Sequence, residues 1–211
     1  MVPEEVKLPT PVLTAVYNSI KGGDIRWKKL DGAVGYIVYA HRSDEGLRVV
    51  EIINDPNVLQ CFDTKIKDRY GKVFSYYVVG IFNIKGKRVE SRNSNWLSLQ
   101  RLAPMEITTA TNVSAGAVEV KWKCAEKENA AYGYEVHYAE NFSDLDKRAG
   151  TWKSVMVDGR QNMKTTIKKL TKGKNYCFRV RSYVEHTSIS SGQTLRTWSQ
   201  FSPVVYVKVT K

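Results

Sequence analysis

The hydrophobic positions of this chain alternate with polar ones at a period of two. Val118, Val120 and Trp122 share one face of a run whose other face is Glu119, Lys121 and Lys123. Tyr176, Phe178, Val180 and Ser182 alternate with Cys177, Arg179, Arg181 and Tyr183, while Phe74, Tyr76, Val78 and Gly80 form a third such face. An extended backbone points successive side chains to opposite sides, so each run predicts a strand with one buried face. Turn-forming residues punctuate the runs: Gly22-Gly23, Asp31-Gly32, Asp55-Pro56, Gly86, Asp158-Gly159 and Gly173. Helical spacing is hard to find in any window, and segment 143–148 has room for one helical turn at most. Many short strands without helices predict an all-β sandwich architecture.

The strand pattern occurs twice. Ile25-Arg26-Trp27-Lys28-Lys29 is answered by Val120-Lys121-Trp122-Lys123-Cys124, and Gly35-Tyr36-Ile37-Val38 by Gly133-Tyr134-Glu135-Val136. The run from Gly71 to Gly80 is answered by that from Gly173 to Ser182, so three blocks recur in order at offsets of 95 to 102 positions. This period is too long for a solenoid and fits a duplicated domain. The junction falls at Leu102-Ala103-Pro104-Met105, giving domains 1–103 and 104–211. Pro104 has no amide proton for a central ladder and suits a short, stiff connector. No Gly/Ser-rich linker separates the copies, so restricted motion between them is expected.

These residues resemble the fibronectin type III family over nearly the whole chain. That family places a tryptophan on strand B (Trp27, Trp122) and Gly-Tyr-x-Val on strand C. It also places a leucine six residues before a strand-F tyrosine, here Leu170 and Tyr176. The resemblance implies two immunoglobulin-like sandwiches in tandem, the second closed by a tyrosine corner in which the Tyr176 hydroxyl bonds nearby backbone. The first copy departs from the pattern. It carries Phe74 at the tyrosine position with Ile66 eight residues back, which implies a two-residue insertion at Asp68-Arg69-Tyr70 and no corner hydrogen bond.

Composition narrows the function classes. The chain has 211 residues, 42% of them hydrophobic, enough to build a core and exclude disorder as the main state. No apolar run reaches the length of a membrane span. The start, MVPEEVKLPTP, lacks the basic and apolar regions of a secretory signal, which fits either a cytoplasmic protein or a mature fragment whose export signal lies elsewhere. The net charge of +12 divides into +5 and +7 between the copies, from 16 basic and 11 acidic residues in the first and 17 and 10 in the second. A charge spread over both copies, without a basic tail, points away from nucleic acid, whose binders concentrate charge on one element. It fits solvent-facing lysines that discourage strand pairing between molecules, and adherence to an anionic surface such as wall polymers.

No G-x-S-x-G, H-E-x-x-H or phosphate-cradling glycine motif occurs, and His41, His137 and His186 lie far apart in sequence. The expectation is a protein with no enzymatic activity, no cofactor and no metal. Cys124 and Cys177 sit where an immunoglobulin-type bridge would run, but Cys177 alternates with core-facing neighbours and so points outward. Thiols are therefore expected, at Cys61 as well. Asp158-Gly159-Arg160 reads as hairpin chemistry, and Asn112-Val113-Ser114 and Asn141-Phe142-Ser143 match the glycosylation sequon.

The most distinctive constellation is Arg179 and Arg181 on strand F together with Trp198 and Phe201 before the last strand. Trp198-Ser199-Gln200-Phe201-Ser202 resembles the Trp-Ser-x-Trp-Ser box of cytokine receptors, in which strand-F arginines interleave with the rings. Arginines two apart on a strand have the spacing to do so here. The expected result is a surface ladder that stiffens the second domain, with an exposed ligand platform as the alternative. Trp96 and Trp152 read as packing on the sheet, or, for Trp152, as exposed to a sugar ring.

The Lys-rich strands, the junction Leu99-Gln100-Arg101-Leu102-Ala103-Pro104 and the closing Thr197-Trp198-Ser199-Gln200-Phe201-Ser202 resemble C-terminal tandem modules of secreted or wall-associated proteins of gut Firmicutes. That resemblance implies an extracellular, monomeric spacer or interaction module whose partner is a protein or a cell-wall glycan. Alternatives of other classes are a released ligand for a host receptor, in the manner of irisin-like polypeptides, and an accessory module of a secreted hydrolase.

Overall fold

A computed structural model describes residues 7–124, 130–140, 152–187 and 194–211. The helical turn expected at 143–148 and the sequon at Asn141 lie outside the described residues. The chain divides into two compact units, Met1–Arg101 and Leu102–Lys211.

The first unit runs β1 (Leu13–Ser19), β2 (Gly22–Trp27), β3 (Gly35–Arg42), β4 (Gly46–Ile53) and β5 (Gln60–Asp63), then a 3-10 turn at Thr64–Ile66. It continues with β6 (Val73–Ile84), β7 (Lys87–Glu90) and β8 (Leu97–Gln100). One sheet has the order β1-β2-β5 and the other β4-β3-β6-β7, with β8 also paired to β6. Every pairing is antiparallel. The second unit repeats this plan with β9 (Met105–Ser114), β10 (Ala117–Cys124), β11 (Gly133–Glu140), β12 (Lys153–Asp158), β13 (Lys164–Ile167), β14 (Asn175–Thr187), β15 (Thr194–Trp198) and β16 (Val205–Lys208). Its sheets are β13-β10-β9 and β12-β11-β14-β15, with β16 on β14.

Each sandwich is filled by the inward phase of its strands. Trp27 meets Tyr36 edge to face at 5.5 Å, and Trp122 meets Tyr134 the same way at 5.3 Å. Such pairs add about 0.5–1.5 kcal/mol to the burial of the rings themselves. Phe74, Tyr76 and Val78 are buried in the first core, and Val118, Val120, Phe178 and Val180 in the second. Gly116 is required where it stands. Its φ is +61°, and a Cβ there would lie 2.6 Å from the Leu170 carbonyl oxygen.

The two copies close the corner before the long strand differently. In the second, the Thr171 amide donates to the Tyr176 hydroxyl at 3.0 Å, over buried Leu170. In the first, Phe74 has no hydroxyl, and Arg101 ties the corner instead. Its Nη2 and Nε donate to the Lys67 carbonyl at 2.8 and 3.1 Å, and its Nη1 to Asn18 Oδ1 at 2.9 Å. Burial pushes the Arg101 pKa down.

Candidate functional site

The outer face of β11 and β14 carries the site. On β14 the inward phase is Phe178, Val180 and Ser182, which leaves Arg179, Arg181 and Tyr183 on the far side of the sheet. β11 runs antiparallel beside it, with Glu135 opposite Arg181 and His137 opposite Arg179. The last strand is broken between Trp198 and Val205, and the break carries Phe201 to the same face.

Four of the side chains singled out in the sequence come together there. The Arg179 guanidinium lies 4.1 Å from the Phe201 ring centre, and that of Arg181 lies 4.5 Å from Phe201 and 3.9 Å from Trp198. Two further members escaped the sequence reading. Trp152 is the outer rung, 4.2 Å from Arg179, and Tyr183 continues the row beyond Trp198 at 5.4 Å, with Arg196 5.0 Å over it. The order along the sheet is Trp152, Arg179, Phe201, Arg181, Trp198. Trp152 was legible only as a tryptophan after a loop, because its partner lies in a distant strand.

Glu135 brings a negative charge into the ladder. Arg181 donates through Nε and Nη2 to Glu135 Oε2, at 2.7 and 2.6 Å. His137 Nε2 lies 3.1 Å from the same oxygen, and its ring is 4.5 Å from Phe201. Burial raises the Glu135 pKa, but the Arg181 and His137 hydrogen bonds outweigh it and hold the carboxyl below the usual range. Burial also pushes the His137 pKa down, more strongly than Glu135 pulls it up. Tyr183 is pushed up to about 12 by burial and by its 2.7 Å hydrogen bond to Asp158. The arrangement holds cations between rings, and its most reactive-looking groups already serve one another.

The broken strand is pinned by serines. Ser182 N–H donates to the Ser199 hydroxyl at 2.9 Å and Val180 N–H to that of Ser202 at 3.1 Å. Each serine amide returns a bond, to the Ser182 and Val180 carbonyls. Each hydroxyl then donates to the next carbonyl in the chain, Gln200 and Pro203. The first copy repeats this with Ser91 on Gly80 and Ser94 on Val78, both at 2.9 Å. The signal was a shared Ser-x-x-Ser spacing, which the aromatic residues of the second copy obscured. The first copy lacks the ladder, however. Its equivalent face bears the apolar cluster Ile37, Tyr77, Val79 and Ile81, with Tyr39 stacked on Tyr77 at 4.8 Å and Trp96 tilted against Tyr77 at 4.5 Å.

No disulfide joins the cysteines among the described residues, and all three are thiols. Cys177 does leave the main core, as alternation requires, but it does not reach solvent. It is fully buried, with Sγ 3.6 Å from the Ala139 carbonyl, in a small cluster with Trp152 and Val204. The outer face is thus covered at Cys177, where the sequence suggested it would be open. Among the described residues no group of three His, Cys, Asp or Glu side chains is placed to hold a metal ion, and no helix is long and apolar enough to cross a membrane.

The strand order and the paired cores define the fold: two fibronectin type III-like β-sandwiches in tandem. The fibronectin type III domain family matches residues 102–198. Among solved structures, the FN1–FN3 domains of chicken CNTN1 are 17% identical, with a TM-score of 0.49, over 97% of this chain and 68% of that one. A structure described as a myokine is 14% identical, with a TM-score of 0.39, over 52% of this chain and 99% of that one. No curated protein matches the chain.

Proposed function

We propose that this chain is a non-catalytic extracellular module, a stiff spacer or interaction unit within a bacterial secreted or surface protein. The observation that carries the reading is the ladder. Arg179, Arg181, Trp198 and Phe201 are the residues best suited to a ligand, and they are spent on one another and on Glu135. What they supply is rigidity to the sheet of the second sandwich. Fibronectin type III domains serve in general as adhesion and spacer modules, and the match to that family over residues 102–198 supports the same role here. The basic surface, +5 on one copy and +7 on the other, favours contact with an anionic protein or cell-wall glycan.

Fractionation of the source cells with an antibody against the second sandwich tests the reading. Recovery in the culture fluid or the cell envelope is expected. Confinement to the cytosol would overturn it.

A further inference from the structure

The second sandwich contains a cavity of about 770 Å³ near Trp122 and a smaller, more enclosed one of about 310 Å³ between β11, β12 and the loop before β14. The smaller one is lined by Lys153, Lys168 and Lys169, with the rings of Tyr138 and Tyr176 and the carboxylate of Glu140. Glu140, the one carboxylate among the described lining residues, is already engaged by Lys174 at 3.0 Å. Three like charges around so small a space oppose one another, and an anion between them removes that repulsion. Lys169 is held there at a φ of +62°, a conformation rare outside Gly and Asn. Lys172 and Lys208 lie at the same end of the second sandwich, where the Gly173 amide donates to the Val209 carbonyl and Asn175 pairs with Lys208.

We infer that this cavity takes a phosphate or sulfate ester carried on a polyhydroxylated chain. Lysine ammonium groups meet a tetrahedral oxyanion as point charges from several directions, without the flat geometry that a carboxylate favours with arginine. A space of this size holds one ester and one polyol or sugar unit, whose C–H face lies against the tyrosines. Lys172 and Lys208 then meet the next ester along the chain. The inference rests on the extracellular reading and names the chemistry of the partner.

The test is equilibrium binding of the full chain to poly(glycerol phosphate), to heparin and to polygalacturonate, which carries carboxylates only, across a salt series from roughly 50 to 300 mM. The triple variant K153E/K168E/K169E is expected to weaken binding to the phosphate or the sulfate polymer by about tenfold or more at low salt, and which polymer responds identifies the source of the ester. K28E/K65E/K87E makes the same change in net charge on exposed lysines of the first sandwich and is expected to stay within about twofold of the parent. Should the glutamate variant fail to fold, the glutamine triple at the same positions takes its place. Equal loss in both triples would assign the binding to net charge and overturn the inference, as would equal affinity for polygalacturonate. Absence of binding to any of the polymers would also overturn it, while leaving the extracellular role to be decided by fractionation.

Discussion

The Arg181 guanidinium lies 3.9 Å from the centre of the Trp198 ring while it donates two hydrogen bonds to Glu135 across the sheet. One side chain thus joins the middle strand of the outer face, its neighbour, and the strand that closes the sandwich. Trp198→Ala removes the ring and uncovers Arg181 and Tyr183 together. A loss of about 1–3 kcal/mol from the second sandwich is expected, read by chemical denaturation. Arg181→Lys is expected to recover little of the ladder, because an ammonium cannot both stack on the ring and reach Glu135 as the guanidinium does. An unchanged midpoint for Trp198→Ala would remove the structural role assigned to the ladder.

The serine pairs predict a matched response in the two copies. Ser199→Ala and Ser202→Ala each strand a buried β14 amide, at Ser182 or Val180, that has no other place to donate. Ser91→Ala and Ser94→Ala do the same to Gly80 and Val78 in β6. Each is expected to cost about 1–3 kcal/mol and to speed hydrogen exchange at the stranded amide. Exchange that stays as slow as in the parent at all four amides would show that the hydroxyls are dispensable.

The two corners are expected to respond to different residues. Tyr176→Phe removes one hydrogen bond, from the Thr171 amide, at about 1 kcal/mol. Arg101→Gln removes a buried guanidinium that ties Asn18 and the Lys67 carbonyl together, and about 2–3 kcal/mol is expected from the first sandwich. Phe74→Tyr is expected to gain nothing, since Arg101 already secures that turn. A stabilised Phe74→Tyr variant, measured by denaturant midpoint, would contradict this division of labour.

His137 makes the second sandwich sensitive to acid. Its pKa in the folded state lies below the ordinary 6.5, so in the window beneath that value the unfolded chain binds the proton first. Stability is therefore complete above about pH 6.5 and falls as the pH drops towards the folded-state pKa. Glu135→Gln removes the anion that partly offsets burial, and the His137 midpoint, followed by NMR, is expected to fall further. A midpoint above 6.5 in the parent would reverse the sign of the effect.

Much of the fold could be read from the chain. A period of two repeated in three ordered blocks placed Trp27 and Trp122, Tyr36 and Tyr134, and the inward phase of β6 and β14, because burying one face of a strand imposes that period directly. Arg179, Arg181, Trp198 and Phe201 were also visible, since alternation sends the arginines to one face and a short motif carries the rings. Trp152, Glu135 and His137 were not visible as members of the same row. Their partners are set by the register between β11, β12 and β14, and register is a relationship between strands distant in sequence. Arg101 was hidden for the same reason, because it replaces a tyrosine hydroxyl from 27 positions further along the chain than Phe74.

The sequence by itself determined an all-β, duplicated architecture and its inward faces, because backbone alternation and hydrophobic burial are local to each strand. It also established that the charge belongs to both copies. Only the tertiary structure decided that the outer face of one copy carries a ladder of cations and rings while that of the other is apolar. It alone showed that Cys177 is covered by Trp152, and that Lys153 joins Lys168 and Lys169 around one cavity. Those outcomes depend on which side chains from separate strands meet, and that is fixed when the sheets pair and pack.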